Sequence, residues 1–95
     1  MRAKKNFIVV AYDISDDRRR SRVAKILEKI GVRINFSVFE CLLTDSQYER
    51  LKTDIAKQIN SREDQVVYYP ICLNCYTKIV YQPERLTKAK IVITV

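Results

Sequence analysis

Residues 6–12, "NFIVVAY", are apolar on both parities. Phe7, Val9 and Ala11 fall on one face of an extended chain, and Ile8, Val10 and Tyr12 on the other. A strand of this kind belongs at the centre of a sheet with cover on both sides. The rest of the chain must supply that cover.

One cover is legible. The run 16–30 reads as a helix, because Val23, Ile26, Leu27 and Ile30 recur at i, i+3, i+4 and i+7. Ser15 is the expected N-cap, Asp16 and Asp17 suit the positive end of the dipole, and Gly31 suits the C-terminal stop. Residues 32–43 read as a long strand with a break near 36–38; Val32, Ile34, Phe36 and Val38 alternate against Arg33, Asn35 and Ser37. A second helix starts at Thr44, where Thr44 with Gln47 makes a capping box and Leu43 with Tyr48 a hydrophobic staple. Tyr48, Leu51, Ile55 and Ile59 form its apolar stripe. "QVVYYPI", 65–71, reads as a strand, "TKIVYQ", 77–82, as another, and "AKIVITV", 89–95, as a further strand after a polar stretch.

The order is β-α-β-β-α-β with an additional C-terminal strand: an α+β, ferredoxin-like plan within a single domain spanning 1–95. Two helices cover only one face of a four-stranded sheet. The other apolar face calls for a second subunit, so a homodimer is expected. The C-terminal segment, about 82–95, is expected to pair with the partner's sheet edge; an edge strand of its own sheet is the alternative.

Charge is uneven. Residues 1–33 hold ten Lys or Arg against four Asp or Glu, whereas residues 34–95 hold eight against seven. A basic region on a small domain suits a polyanion such as nucleic acid. The chain has no His, which excludes imidazole-dependent RNA cleavage and the Ser-His-Asp triad. Its single Gly excludes a glycine-rich phosphate loop. No apolar run is long enough to span a membrane and the start does not read as a signal peptide, so the expected setting is cytoplasmic.

Asp13 follows the first strand, at the carboxyl end where sites are commonly built. It is the candidate metal ligand; the alternative is a turn residue that binds the N–H groups of the next helix. One carboxylate is a poor magnesium site, but a two-fold dimer places two Asp13 side chains near one axis. Magnesium held there would polarise a phosphodiester and activate water without any imidazole. Asp16 and Asp17 read as structural. Arg18, Arg22, Lys25 and Lys29 share one helix face that suits a phosphate backbone, and Arg19, Arg20 and Arg33 are candidate phosphate forks, each set against an ordinary surface role. Cys72 and Cys75 form a C-x-x-C. With Cys41 they give three thiols, one short of a structural zinc site. A redox C-x-x-C usually opens a helix and this one follows a strand, so reduced core or loop thiols are expected, with a disulfide as the alternative for a hyperthermophilic source. "RINFSVFE", 33–40, lacks stacking aromatics at Asn35 and Ser37, which argues against a simple base-stacking RNA module.

"YDISDDRRRSRVAKILEKIG", 12–31, followed by "RINFSVFEC", 33–41, resembles the Cas2 family, the small CRISPR-associated endoribonucleases that also act as the smaller partner of the spacer-integrating nuclease. The resemblance implies a homodimer with facing sheets and C-terminal strands completing the partner's sheet. It implies an endonuclease cutting RNA, or double-stranded DNA, in antiviral defence, with Asp13 beside Tyr12 as the magnesium-binding catalytic acid. It associates Arg20, Arg22, Arg33, Ser37 and Phe39 with the active site or nucleic-acid handling. The same resemblance admits a non-catalytic adaptor dimer that bridges the integrase, and the fold admits a toxin-like ribonuclease. Asn35 departs from the Gln common in the family.

Overall fold

The computed structural model describes residues 4–84. Strand β1 (Lys5–Asp13) leads to helix α1 (Asp17–Glu28). The hairpin β2 (Gly31–Asn35) and β3 (Val38–Thr44) follows, then helix α2 (Asp45–Ala56), strand β4 (Gln65–Ile71) and a single helical turn, α3 (Leu73–Tyr76). The sheet runs β2-β3-β1-β4, with every neighbouring pair antiparallel. This is the ferredoxin-like arrangement anticipated from the element order. β1 is central, as its two-sided apolar pattern demands.

One face of the sheet carries both helices. Ile8, Val10 and Tyr12 of β1 and Phe39, Cys41 and Leu43 of β3 meet Val23, Ala24 and Leu27 of α1 and Leu51 and Ile55 of α2 in one buried cluster. Helix α2 starts as expected: the Thr44 side chain accepts from Gln47 N while Gln47 Oε1 accepts from Thr44 N, a reciprocal capping box. Tyr48 and Ile59 pack on the margin of the cluster.

The start of α1 differs from expectation by one residue. Asp16, not Ser15, is the N-cap, and its carboxylate accepts from Arg19 N at 2.9 Å. Both residue types cap well, and a carboxylate adds charge against the helix dipole. Gly31 does not stop the helix through a left-handed conformation, since no glycine has positive φ. It opens β2 opposite Cys41, where an added Cβ would stand 2.6 Å from Cys41 Sγ and 2.7 Å from the Glu40 carbonyl oxygen. The glycine lets β2 approach β3. Gly31→Ala is therefore expected to cost about 1–3 kcal/mol by overpacking, read as a lower urea midpoint.

The long strand breaks at 36–37, as the sequence suggested. Asn35 Oδ1 accepts from Ser37 N at 3.1 Å and closes the turn. The alternation fails there: Phe36 stands 89% exposed at the hairpin tip.

Residues 77–82 do not form the expected strand. The amides of Thr77, Lys78 and Ile79 donate to the carbonyls of Leu73, Cys75 and Tyr76, so the chain folds back on α3 rather than joining the sheet. The segment lies against the second face. Tyr76 packs on Phe7 with ring centroids 4.9 Å apart, and Tyr81 Oη donates to Glu40 Oε2. The chain thus supplies part of the cover itself, from Phe7 at one end of the face to Glu40 at its centre, where a second subunit alone was expected. Across the rest, Val9 and Ala11 stay half-buried, in register with Glu40 and Val38 on one side and Tyr69 and Val67 on the other. The expected strand 89–95 and all but the first residues of the 82–95 segment lie outside the described residues.

Candidate active site at the end of the central strand

Asp13 is the last residue of β1, opposite Gln65 of β4. Parity places it with Val9 and Ala11, on the face away from the helices. Its side chain is exposed and makes no hydrogen bond or ion pair with any described residue. Asp16 takes the capping role considered for Asp13, which leaves the Asp13 carboxylate uncommitted among the described residues.

The loop behind Asp13 is braced by Arg20. Its guanidinium donates to the carbonyl oxygens of Ile14, at 3.1 Å, and Ser15, at 3.2 Å, and pairs with Asp17. Arg20 therefore sets the backbone that follows the acid while keeping part of its fork exposed. On the other side of Asp13, Tyr12 is locked. Its ring is buried, its amide donates to the Ser37 carbonyl at 3.0 Å and its hydroxyl donates to the Phe36 carbonyl at 2.8 Å. Burial pushes the Tyr12 phenol up, against the pull of Arg33 and Arg20, so the hydroxyl remains a proton donor to that carbonyl. Ser37 thus contributes through its backbone, fixing the hairpin tip to the end of β1.

Phe39 is fully buried and stacks on Tyr12 at 6.3 Å between ring centroids. It sits in the core and cannot stack on a base without leaving it. Arg33 is exposed at the edge of β2 with its guanidinium carbon 5.1 Å above the Phe39 ring centroid, which holds the cation over an aromatic face. Arg18 and Arg22 are exposed on α1 and carry no ion pair among the described residues.

Arg19 departs from the phosphate role considered for it. Its Nε and Nη2 grip the Asp64 carboxylate at 2.7 and 3.2 Å, and Nη2 also reaches Glu63 at 2.9 Å. The arginine clamps the start of α1 to the loop before β4. Asp64 also accepts from Asn60 N at 2.8 Å. No local pattern marks this pair, because its members lie far apart in the chain. The Arg19 guanidinium and the Asn60 N–H hold the Asp64 carboxyl below its ordinary range, and the Arg19 N–H does the same for Asp16. A carboxyl so depressed contributes stability above its unfolded value, near pH 4, and the contribution is lost as pH falls through the lower folded value. Asp64→Asn should accordingly flatten the acid limb of the stability profile below about pH 4, as measured by urea unfolding at a series of pH values.

Among the described residues, no three His, Cys, Asp or Glu side chains converge on one point. One chain thus presents a single uncommitted carboxylate at the end of a central strand, beside an arginine-rich helix start. No described helix is long and apolar enough to cross a membrane.

Fold and site together define a ferredoxin-like domain with an exposed carboxylate, unpaired among the described residues, at the end of its central strand and just ahead of an arginine-rich helix start. The profile of the family described as CRISPR associated protein Cas2 matches residues 6–79, and the chain belongs to that family. It is 41% identical over 81 residues to the CRISPR-associated endoribonuclease Cas2 3 of Synechocystis, an alignment covering 84% of this chain and 88% of the relative. The crystal structure of Streptococcus pyogenes Cas2 superposes with a TM-score of 0.71 at 25% identity, covering 79% of this chain and 96% of that one. A chain of a partial Cas6-RT-Cas1–Cas2 complex superposes at 0.63 and 25% identity, covering 80% of this chain and 89% of the other.

Proposed function

We propose that this chain is a magnesium-dependent endoribonuclease that works as a homodimer, in the cytoplasm, as a subunit of the CRISPR spacer-acquisition machinery, with DNA as a second candidate substrate. The observation that carries the reading is Asp13: an exposed carboxylate at the end of the central strand with no partner among the described residues. The endoribonuclease names of relatives about 40% identical support the activity, and the Cas1–Cas2 assembly of a structural neighbour supports the partner.

Asp13 fits magnesium as an oxygen ligand on an exposed strand end. A second Asp13 from a two-fold partner raises the count to two, which with waters and substrate phosphate is an ordinary magnesium set. When bound, the ion supplies phosphate charge neutralisation and water activation at neutral pH. This chain's residues do the rest. Asp13 would hold the ion, Arg20 fixes the backbone after it, and Tyr12 with Ser37 ties the strand end to the hairpin. Arg18, Arg22 and Arg33 take phosphate oxygens through their forked donors.

The second copy has a place to sit. Val9, Ala11, Val38 and Val67 are only half-buried, and Tyr69 is 50% exposed beside them. At the centre of this face Glu40 is buried with Oε1 unpartnered among the described residues. Residues from about 82 to 95 are proposed to extend the partner's sheet.

The test is metal removal. Chelation should stop cleavage of single-stranded RNA, and magnesium alone should restore it; cleavage that persists in chelator contradicts the assignment. The adaptor reading is favoured by Arg18 and Arg22, two cations on α1 that no acid among the described residues holds. Reversing both to Glu should weaken duplex binding at least ~10-fold at low salt and reduce the slope of log affinity against log salt. Unchanged binding would remove the helix face from the nucleic-acid interface. Cleavage that discriminates strongly among RNA sequences, without any integrase contact, would favour a toxin-like ribonuclease.

A further inference from the structure

The C-x-x-C is not absorbed by the nuclease site, and its setting differs from the sequence expectation. It follows a strand and also opens a helical turn. Cys72 is the N-cap of α3, and its Sγ accepts from Cys75 N at 3.4 Å. Both residues are exposed. Positions i and i+3 across one helical turn place the two Cα atoms about 5 Å apart, inside the range a disulfide spans.

Cys41 supplies the contrast. It is buried between β2 and the core, and burial pushes its thiol up to about 11. It behaves as a small hydrophobe.

We propose that Cys72 and Cys75 are a redox-active dithiol that closes to an intrachain disulfide, with a low-molecular-weight disulfide such as oxidised glutathione as the oxidant. The Cys72 thiolate attacks one glutathione sulfur, the glutathione S–S bond breaks, and the first glutathione leaves as a thiolate that takes up a proton. Cys75 then loses its proton, attacks the Cys72 sulfur and displaces the second glutathione. The chain loses two electrons and two protons, and one glutathione disulfide becomes two glutathione thiols. The hydrogen bond from the Cys75 amide favours the Cys72 thiolate, which is held below its ordinary range, while the neighbouring Cys72 raises Cys75. Cys72 is the attacking sulfur and Cys75 the resolving one.

The position gives the couple a structural readout. Tyr76, the last residue of α3, packs on Phe7 at the edge of the second sheet face. Closing the disulfide pins the cap of this turn. The Thr77 and Lys78 amides, which donate to Leu73 and Cys75 carbonyls, should then exchange more slowly.

The experiment equilibrates the intact chain in a series of reduced and oxidised glutathione ratios, traps thiols with an alkylating reagent and maps the peptides by mass spectrometry. A peptide joining Cys72 to Cys75 and lighter by about two mass units should appear, with Cys41 alkylated only after unfolding. Cys75→Ser should accumulate a glutathione adduct on Cys72, and Cys72→Ser should form its adduct on Cys75 at least ~10-fold more slowly. Failure of wild type to close at any ratio, bonding between chains instead, or equal rates in the two variants would overturn the proposal. So would tight zinc uptake that protects both thiols.

Discussion

Replacing Asp13 with Ala is expected to reduce magnesium-dependent RNA cleavage by at least ~100-fold while leaving the protein folded. The two halves of that expectation have separate causes. The activity loss follows from removing the one uncommitted carboxylate at the strand end. The intact fold follows from the same fact, because Asp13 caps no helix and pairs with no cation among the described residues. An exposed side chain without partners changes stability by about 0.5 kcal/mol or less, which for a small domain is within about 4 °C of the wild-type midpoint. Asp13→Asn should behave likewise, since an amide keeps the shape and loses the anionic ligand. Full cleavage by either variant, purified free of contaminating nuclease, would move the chemistry elsewhere.

The second large effect is on stability. Phe39→Ala should cost about 3–5 kcal/mol, a major share of what a small domain possesses. Phe39 is fully buried, stacks on Tyr12 and lies under the Arg33 guanidinium. Its removal opens the core directly beneath the strand end that carries Asp13. Loss of activity in this variant should therefore track unfolding in urea. Phe39→Leu separates positioning from base stacking: it should keep most of the stability and most of the RNA affinity. A wild-type urea midpoint together with a large loss of RNA affinity would show that the ring contacts nucleic acid.

Much of this was legible in the chain. The double-sided pattern of 6–12 placed β1 at the centre, and the Thr44 capping box fixed the start of α2. Asp13 stood out because it ends an apolar strand. Other features depend on tertiary approach. Ser15 and Asp16 are both good caps, so one-residue discrimination needed the Asp16–Arg19 hydrogen bond. Arg19 looked like its neighbouring arginines, and only the fold brings Asp64 to it. Gly31 read as a helix stop, whereas the β2–β3 approach is what its missing side chain permits. Residues 77–82 have strand-like composition, yet local hydrogen bonds to α3 and the two tyrosine contacts hold them across the sheet. Cys72 follows a strand and caps a helix at once, a combination that residue spacing alone does not reveal.

The central claim is that Asp13 holds metal only as one of a pair. Titration of the dimer with manganese, followed by electron paramagnetic resonance as a stand-in for magnesium, tests it directly. One tightly bound ion for every two chains is expected, lost in Asp13→Ala. One ion per chain, or binding that survives the substitution, would contradict it.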